Sequence, residues 1–329
     1  MKKLSVLKDL SENRLSSKQK QKLGKWVFAI FRTFFIIGMA YVLLFPLLVM
    51  VTRAIRPYTD MYNPSIVWIP SKLTLENFKY ALTALGGVSS ILKTLRIVLI
   101  STILSMFTCS MAGYGLGRFR IKTSGLFVVL AALTIMVPVQ TYVIPLFFNF
   151  RFFDFFGIGS LVGLFTGEKL SVNLTTSEFV YYIMSILGVS TRNGIFILLF
   201  MLNYKGIPGE LEMAARVDGA GEWRTYFQIM LPNALPSFVV TFVMSMVWLW
   251  NDSFFPSIVY RQDFFLSKRM LEIRVLATKA MGLGTYATNL SETGVMFAAC
   301  IIFVLPLLIM YMFSQKGFIQ SAERSGITG

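Results

Sequence analysis

ELEMAARVDGAGEWRTYFQIMLP, residues 210–232, is the stretch whose reading decides the fold. It carries six charged residues in a chain that is otherwise largely apolar, and it predicts two short helices. Pro208 and Gly209 end whatever precedes it, while Glu210 and Glu212 sit where a helix N-terminus favours negative charge. Leu211, Ala214, Ala215 and Asp218 recur at i, i+3, i+4 and i+7, a narrow stripe of small residues. Gly219 supplies the exit, since glycine takes a left-handed backbone readily. A second segment opens at Gly221 and Glu222, with Trp223, Phe227 and Met230 or Leu231 on one face. Pro232 and Pro236 mark the return to apolar sequence. The alanines are too small to anchor a helix in lipid, and Glu210, Glu212, Asp218 and Glu222 suit a protein surface better than an anionic headgroup. The stretch reads as a docking knob.

The sequence on either side is lipid-like. The 329 residues are 55% hydrophobic and only 14% charged, against about 25% charged in soluble domains. Mean hydropathy is +0.66. The chain has no histidine, which excludes Ser-His and zinc-hydrolase chemistry within it, and Cys109 and Cys300 both fall in apolar runs as small core residues. The net charge of +15 does not point to nucleic acid, because eight of the 31 Lys and Arg residues fall in the first 25 positions, ahead of the first apolar run. That is the pattern of a cytoplasmic tail beside anionic lipid. The 18 uncharged residues Phe34 to Val51 carry no convincing cleavage site and read as an uncleaved span.

With roughly 20 residues needed per crossing, the sequence predicts an all-α polytopic membrane protein with six transmembrane helices. They fall at about 28–52, 92–115, 124–149, 181–204, 234–257 and 292–314. Residues 190–194 (Ser, Thr, Arg, Asn, Gly) interrupt the fourth. It reads either as one helix with a polar kink, the preferred reading, or as an outer amphipathic segment followed by a shorter span. Residues 1–27 form a basic cytoplasmic tail, 28–315 the six-span domain with the knob in its 205–233 loop, and 316–329 a cytoplasmic C-terminal tail. The inner segments hold 16 Lys and Arg against 11 in the longer outer ones, a modest positive-inside bias led by RFRIK at 118–122.

The 210–232 stretch resembles the cytoplasmic coupling loop of membrane subunits of bacterial ABC importers, and is most similar to the maltose-transporter type. That loop reads EAA, three residues, G, nine residues, I, one residue, LP. Here Ala214, Ala215, Gly219, Ile229, Leu231 and Pro232 fill it, with IPGEL before and DGA after. Met213 occupies the position of the motif's glutamate, which in the family makes polar contacts with the ATPase. AGYGLGRFR (112–120), MVPVQTYVIPLF (136–147) and WLWNDSFFPSIV (248–259) are similar to further stretches of the same family, and the terminal GITG (326–329) is a looser match.

The resemblance implies a type I ABC importer permease fold in a bacterial cytoplasmic membrane, with both termini inside. It implies a second, homologous permease, two ATPase subunits, an extracytoplasmic solute-binding protein and a sugar or oligosaccharide cargo. No cofactor binds this chain, since the sequence has no GxxxxGK[ST] loop; ATP and Mg belong to the ATPase partners. The coupling residues would be Glu210, Glu212, Met213, Ala214, Ala215, Asp218, Gly219, Ile229, Leu231 and Pro232. Polar groups inside spans line protein or water, so Gln140, Asn149, Asn251 and Asp252, with the aromatic faces of Tyr142, Phe147, Trp248 and Trp250, are pathway candidates. In the maltose-type pair the other permease holds most cargo contacts. A polyol such as glycerol phosphate would fit the same fold. An ion-coupled secondary transporter would need buried ionisable groups in several spans, and a membrane scaffold would not need the 214–232 spacing.

Overall fold

The computed structural model describes residues 2–61, 63, 69–119, 122–190, 192–282 and 292–326. Among these the chain is helical, apart from one antiparallel bridge between Phe153 and Val172. The organising helices are α1 (Lys2–Ala54), α2 (Gly87–Arg118), α3 (Ser124–Met136), α4 (Val139–Arg151), α5 (Phe179–Ile186), α6 (Asn193–Gly206), α7 (Glu210–Val217), α8 (Leu235–Asn251) and α9 (Thr293–Gly326). Shorter pieces are named by their residues.

The closest-packed pair is α2 with α6, and the GYGLG run explains it. A Cβ on Gly113 would stand 2.6 Å from Phe200 Cβ, 2.8 Å from the Met201 nitrogen and 2.9 Å from the Ile197 carbonyl oxygen. One turn on, a Cβ on Gly117 would meet the Met201 carbonyl at 3.0 Å, whereas one on Gly115 would meet only the Phe119 ring, in ordinary contact at 4.0 Å. Glycines four apart let two membrane helices approach backbone to backbone, where dispersion replaces the absent hydrophobic drive. A second close crossing joins α6 to α3: a Cβ on Gly194 would stand 2.3 Å from the Ala131 carbonyl oxygen.

Two buried clusters lie along this frame. One joins the first half of α2, the second half of α8 and α9 around Ile97, Met246, Trp250 and Ala299. The other joins the second half of α2 to α6 and to the 226–238 segment, around Cys109, Phe200, Tyr204, Tyr226 and Phe238. At the outer end, the Asn77 amide donates to the Ala54 and Arg56 carbonyls at 2.9 and 2.7 Å, fastening the end of α1. Gly294 leaves the room this amide occupies. The apolar length of α1 otherwise stays outside the fold of this chain, in contact mainly with α9.

The expected count of six spans is corrected. Four described helical stretches are long and apolar enough to cross a membrane: Gln21–Ala54, Gly87–Arg118, Leu235–Ile258 and Thr293–Gln315. A fifth exists only if α3 and α4 are counted together, and they are bent 100° apart. The proline at 138 causes the bend. It disfavours helical backbone in the residue before it, and Val137 is accordingly extended (φ −75°, ψ 116°). The expected helix at 181–204 is also two pieces, α5 and α6, separated by left-handed backbone at Gly188 (φ 70°) and Arg192 (φ 63°). At 1.5 Å per residue the 14 residues of α6 reach about 21 Å, short of the ~30 Å hydrocarbon core.

The other elements differ less. The long outer segment after span 3 folds back on itself, with Phe153 N–H donating to the Val172 carbonyl at 3.1 Å and Val172 N–H returning to Phe153 at 2.9 Å. Residues 120–121 of RFRIK, 283–291 of the third outer segment and 327–329 of GITG lie outside the described residues.

Candidate functional site

The knob forms as two short helical pieces around a glycine turn. At the end of α7, Gly219 takes φ 79°. Its N–H donates to the Arg216 carbonyl at 3.1 Å, and that of Ala220 to the Ala215 carbonyl at 2.9 Å. This is the double bond pattern that closes a helix over a left-handed glycine. Arg216 and Glu222 pair across the turn at 2.9 Å; both are half exposed, so the pair adds at most about 1 kcal/mol.

The second piece departs from ordinary α-helix. Tyr226–Met230 is a π-helical turn leading into Leu231–Asn233 and α8. The wider turn changes which residues share a face. Trp223 and Phe227 stack outside with ring centroids 6.2 Å apart, as the spacing suggests, but Met230 leaves their face and is fully buried.

The knob is tied to the bundle by a buried hydroxyl hub. Ser110 Oγ on α2 lies 2.6 Å from Tyr204 Oη on α6 and 2.8 Å from Tyr226 Oη in the π turn. Tyr114 packs on both rings, with centroids 5.4 and 5.2 Å away. Buried phenols need such partners. Arg118, at the end of α2, donates to the Ile207 carbonyl and faces Glu212 at 3.5 Å. Sequence reading marked Arg118 only as part of the basic inner loop and gave no role to Ser110, Tyr204 or Tyr226, whose contacts join three separate segments. Replacing Ser110 with alanine leaves both phenols a partner short, about 1–3 kcal/mol for each buried unsatisfied group. A lower melting temperature, largely restored by adding Tyr204→Phe and Tyr226→Phe, is the expected result.

The ten expected coupling residues divide between two sides. Ala215 is buried, and Glu212 turns inward toward Arg118. Ile229 and Leu231 are half-buried. Glu210, Met213, Ala214, Asp218, Gly219 and Pro232 are exposed. Met213 is 60% and Val217 87% exposed, and with Leu211, Trp223 and Phe227 they give the knob an apolar outer surface.

The eight pathway candidates are not brought together. Gln140 and Asn149 are exposed near opposite ends of α4 and Asn251 at the end of α8, where its amide donates to its own helix at Val247 O, 2.8 Å. Trp250 is fully buried, its indole N–H donating to the Phe303 carbonyl at 3.0 Å. Phe147 packs against the outer core. Asp252 Oδ1 accepts the N–H groups of Phe254 and Phe255 at 3.0 and 3.1 Å. Trp248 is half-buried, its ring engaged by Phe196 at 5.3 Å and by the Arg192 guanidinium at 4.7 Å. Tyr142 lines a cavity of about 390 Å³ at the breaks in α3/α4 and α5/α6.

Long apolar helices, two broken helical segments meeting at a cavity and a folded knob tied to the bundle define a membrane-embedded transport subunit. The family described as binding-protein-dependent transport system inner membrane component matches residues 109–324, and the chain belongs to it. The protein is thus a multi-pass inner-membrane permease subunit of an ABC importer, not an enzyme, and works with ATPase and solute-binding partners.

Among similar proteins, the arabinooligosaccharides transport system permease protein AraQ of Halalkalibacterium halodurans is 27% identical over 88% of this chain and 93% of its own length. The probable starch degradation products transport system permease protein AmyC of Thermoanaerobacterium thermosulfurigenes is 26% identical over 86% and 91%. A chain of a bacterial ABC transporter that imports the acidic polysaccharide alginate shares the fold at TM-score 0.67, with 19% identity over 88% of this chain and 96% of that one.

Proposed function

We propose that this chain is one of two permeases in an oligosaccharide importer of the maltose-transporter type, coupled through residues 210–232 to one of two ATPase subunits. The observation that carries this reading is the knob itself, apolar outside and fastened inside to α2 and α6 by the Ser110–Tyr204–Tyr226 hub. Closure of the ATPases on ATP pushes Met213, Val217 and Trp223. The rigid turn at Gly219 passes that displacement through the π turn into α8. Met213 substitutes apolar packing for the family's acidic contact, while Glu212 is engaged with Arg118 inside. A sugar cargo is supported by the names of relatives that span nearly the whole chain.

Cross-linking tests the docking. With Met213→Cys in the full complex and a cysteine series on the ATPase, a disulfide between the two subunits should form in high yield and change with nucleotide. Cross-links obtained only from outer-segment positions would contradict the assignment.

A further inference from the structure

Arg192 is a charge where membrane proteins avoid one. It immediately precedes α6, whose other end leads into the knob, so its Cα lies about 20 Å above the cytoplasmic end of that helix at 1.5 Å per residue. An ionisable group at such depth faces a bundle interior or a water-filled cavity and marks a pathway. Its backbone is left-handed, at φ 63°, a conformation uncommon for a residue with a long side chain and concentrated at functional sites.

Its side chain rests on an aromatic ring, with the Asp252 carboxylate near enough to act on it electrostatically. The guanidinium lies over the Trp248 ring at 4.7 Å, and Phe196 stacks on the same indole at 5.3 Å. Stacking fixes the guanidinium plane and leaves its N–H edges available. Among the described residues Arg192 takes part in no ion pair. The acid on the neighbouring chain segment, Asp252, already accepts two backbone N–H groups.

Arg192 lines the 390 Å³ cavity, together with Ser190, Tyr142, Thr134 and the first turn of α6 at Gly194. That volume is within the ~300–1,000 Å³ of small-molecule sites. Between the apolar side chains of Leu130, Leu133, Val137 and Val189, the wall presents a cation with a bidentate edge, hydroxyls on Ser190 and Tyr142, and the positive end of a 14-residue helix. A carboxylate matches the guanidinium in charge and in its paired acceptors, which a neutral sugar does not.

We propose that Arg192, braced on Trp248, forms a cargo subsite for the carboxylate of an acidic sugar residue, so that the transported glycan contains uronate-type units. This rests on the sugar-importer reading and names the cargo class within it. The carboxylate accepts the guanidinium N–H groups, and the adjacent hydroxyl groups of the cavity engage the ring.

The test compares a trigalacturonate with its carboxyl-reduced, neutral counterpart. Binding of each to the purified permease–ATPase complex is measured without the binding protein, whose own selectivity then does not enter. The wild type should bind the acid at least tenfold more tightly, with a preference that weakens as salt rises. Arg192→Gln should remove the preference while the neutral trisaccharide still binds, and Arg192→Lys should retain part of it. Equal affinities in the wild type, no binding of either glycan, or a mutant that loses both glycans alike overturns the subsite. Uptake assays with the binding protein restored separate the two levels. Import of neutral oligosaccharides alone leaves the sugar-importer reading standing without the acidic subsite, whereas import of no glycan of either kind removes both.

Discussion

Gly113→Leu should abolish recovery of the assembled subunit. The leucine Cβ would fall 2.6–2.9 Å from three atoms of α6, two of them backbone, and no side-chain rotation relieves a clash with a main-chain nitrogen and carbonyl. Overpacking a core costs about 1–3 kcal/mol when neighbours can shift; here the whole α2–α6 crossing must open. Ser110 lies one turn away on α2, so opening the crossing also strains the tyrosine hub on which the knob depends. Gly115→Leu, two residues on, where a Cβ meets only a Phe119 ring carbon at 4.0 Å, is the matched control. Size-exclusion yield of the co-expressed complex should drop at least tenfold for Gly113→Leu and stay near wild type for Gly115→Leu. Equal yields would show that the two helices do not cross at Gly113.

Gly219→Pro should uncouple the subunit without dismantling it. The turn needs φ near +79° and an N–H donated to Arg216, whereas proline is locked near −65° and has no N–H. Helix α7 and the Trp223 segment would lose their fixed relation, but the two buried clusters that join α2, α6 and α8 contain no residue of α7 or of the turn. Assembly should therefore persist while cargo-stimulated ATP hydrolysis drops more than tenfold. Gly221→Ala, at φ −70° where any L-residue fits, should be silent. A proline variant with normal stimulation would remove the knob from the coupling path.

Which features were legible in the sequence depends on which forces act locally. The turn at Gly219 was legible because a helix stop over a left-handed glycine is a local event, read from residue type and spacing. The outer edges of the long helices were legible because twenty apolar residues in a row have few other uses. The breaks were harder. Pro138 lies inside an unbroken apolar run, and the 100° bend depends on what α3 and α4 pack against. At 188–194 the polar letters marked an interruption, but the left-handed backbone at Arg192 comes from tertiary fit. Counting apolar length therefore predicts six spans where, among the described residues, four helices, or five with the bent pair, qualify.

The site divided similarly. The coupling residues announced themselves by spacing, but the inward turn of Glu212 and the burial of Met230 depend on Arg118 and on a π turn that periodicity assumes away. Trp248 and Trp250 stand out as sugar platforms by residue type alone. Their rings are engaged by Phe196, Arg192 and the bundle core, contacts made by residues 50 or more positions away.

The most direct measurement is ATP hydrolysis by the complex in proteoliposomes, with its ATPases, second permease and binding protein, in the presence and absence of oligosaccharides. Hydrolysis should rise severalfold only when glycan-loaded binding protein is present, and Gly219→Pro should lose this rise. Hydrolysis indifferent to every glycan and to the variant, or failure of the subunit to recruit an ATPase, would contradict a coupled oligosaccharide permease.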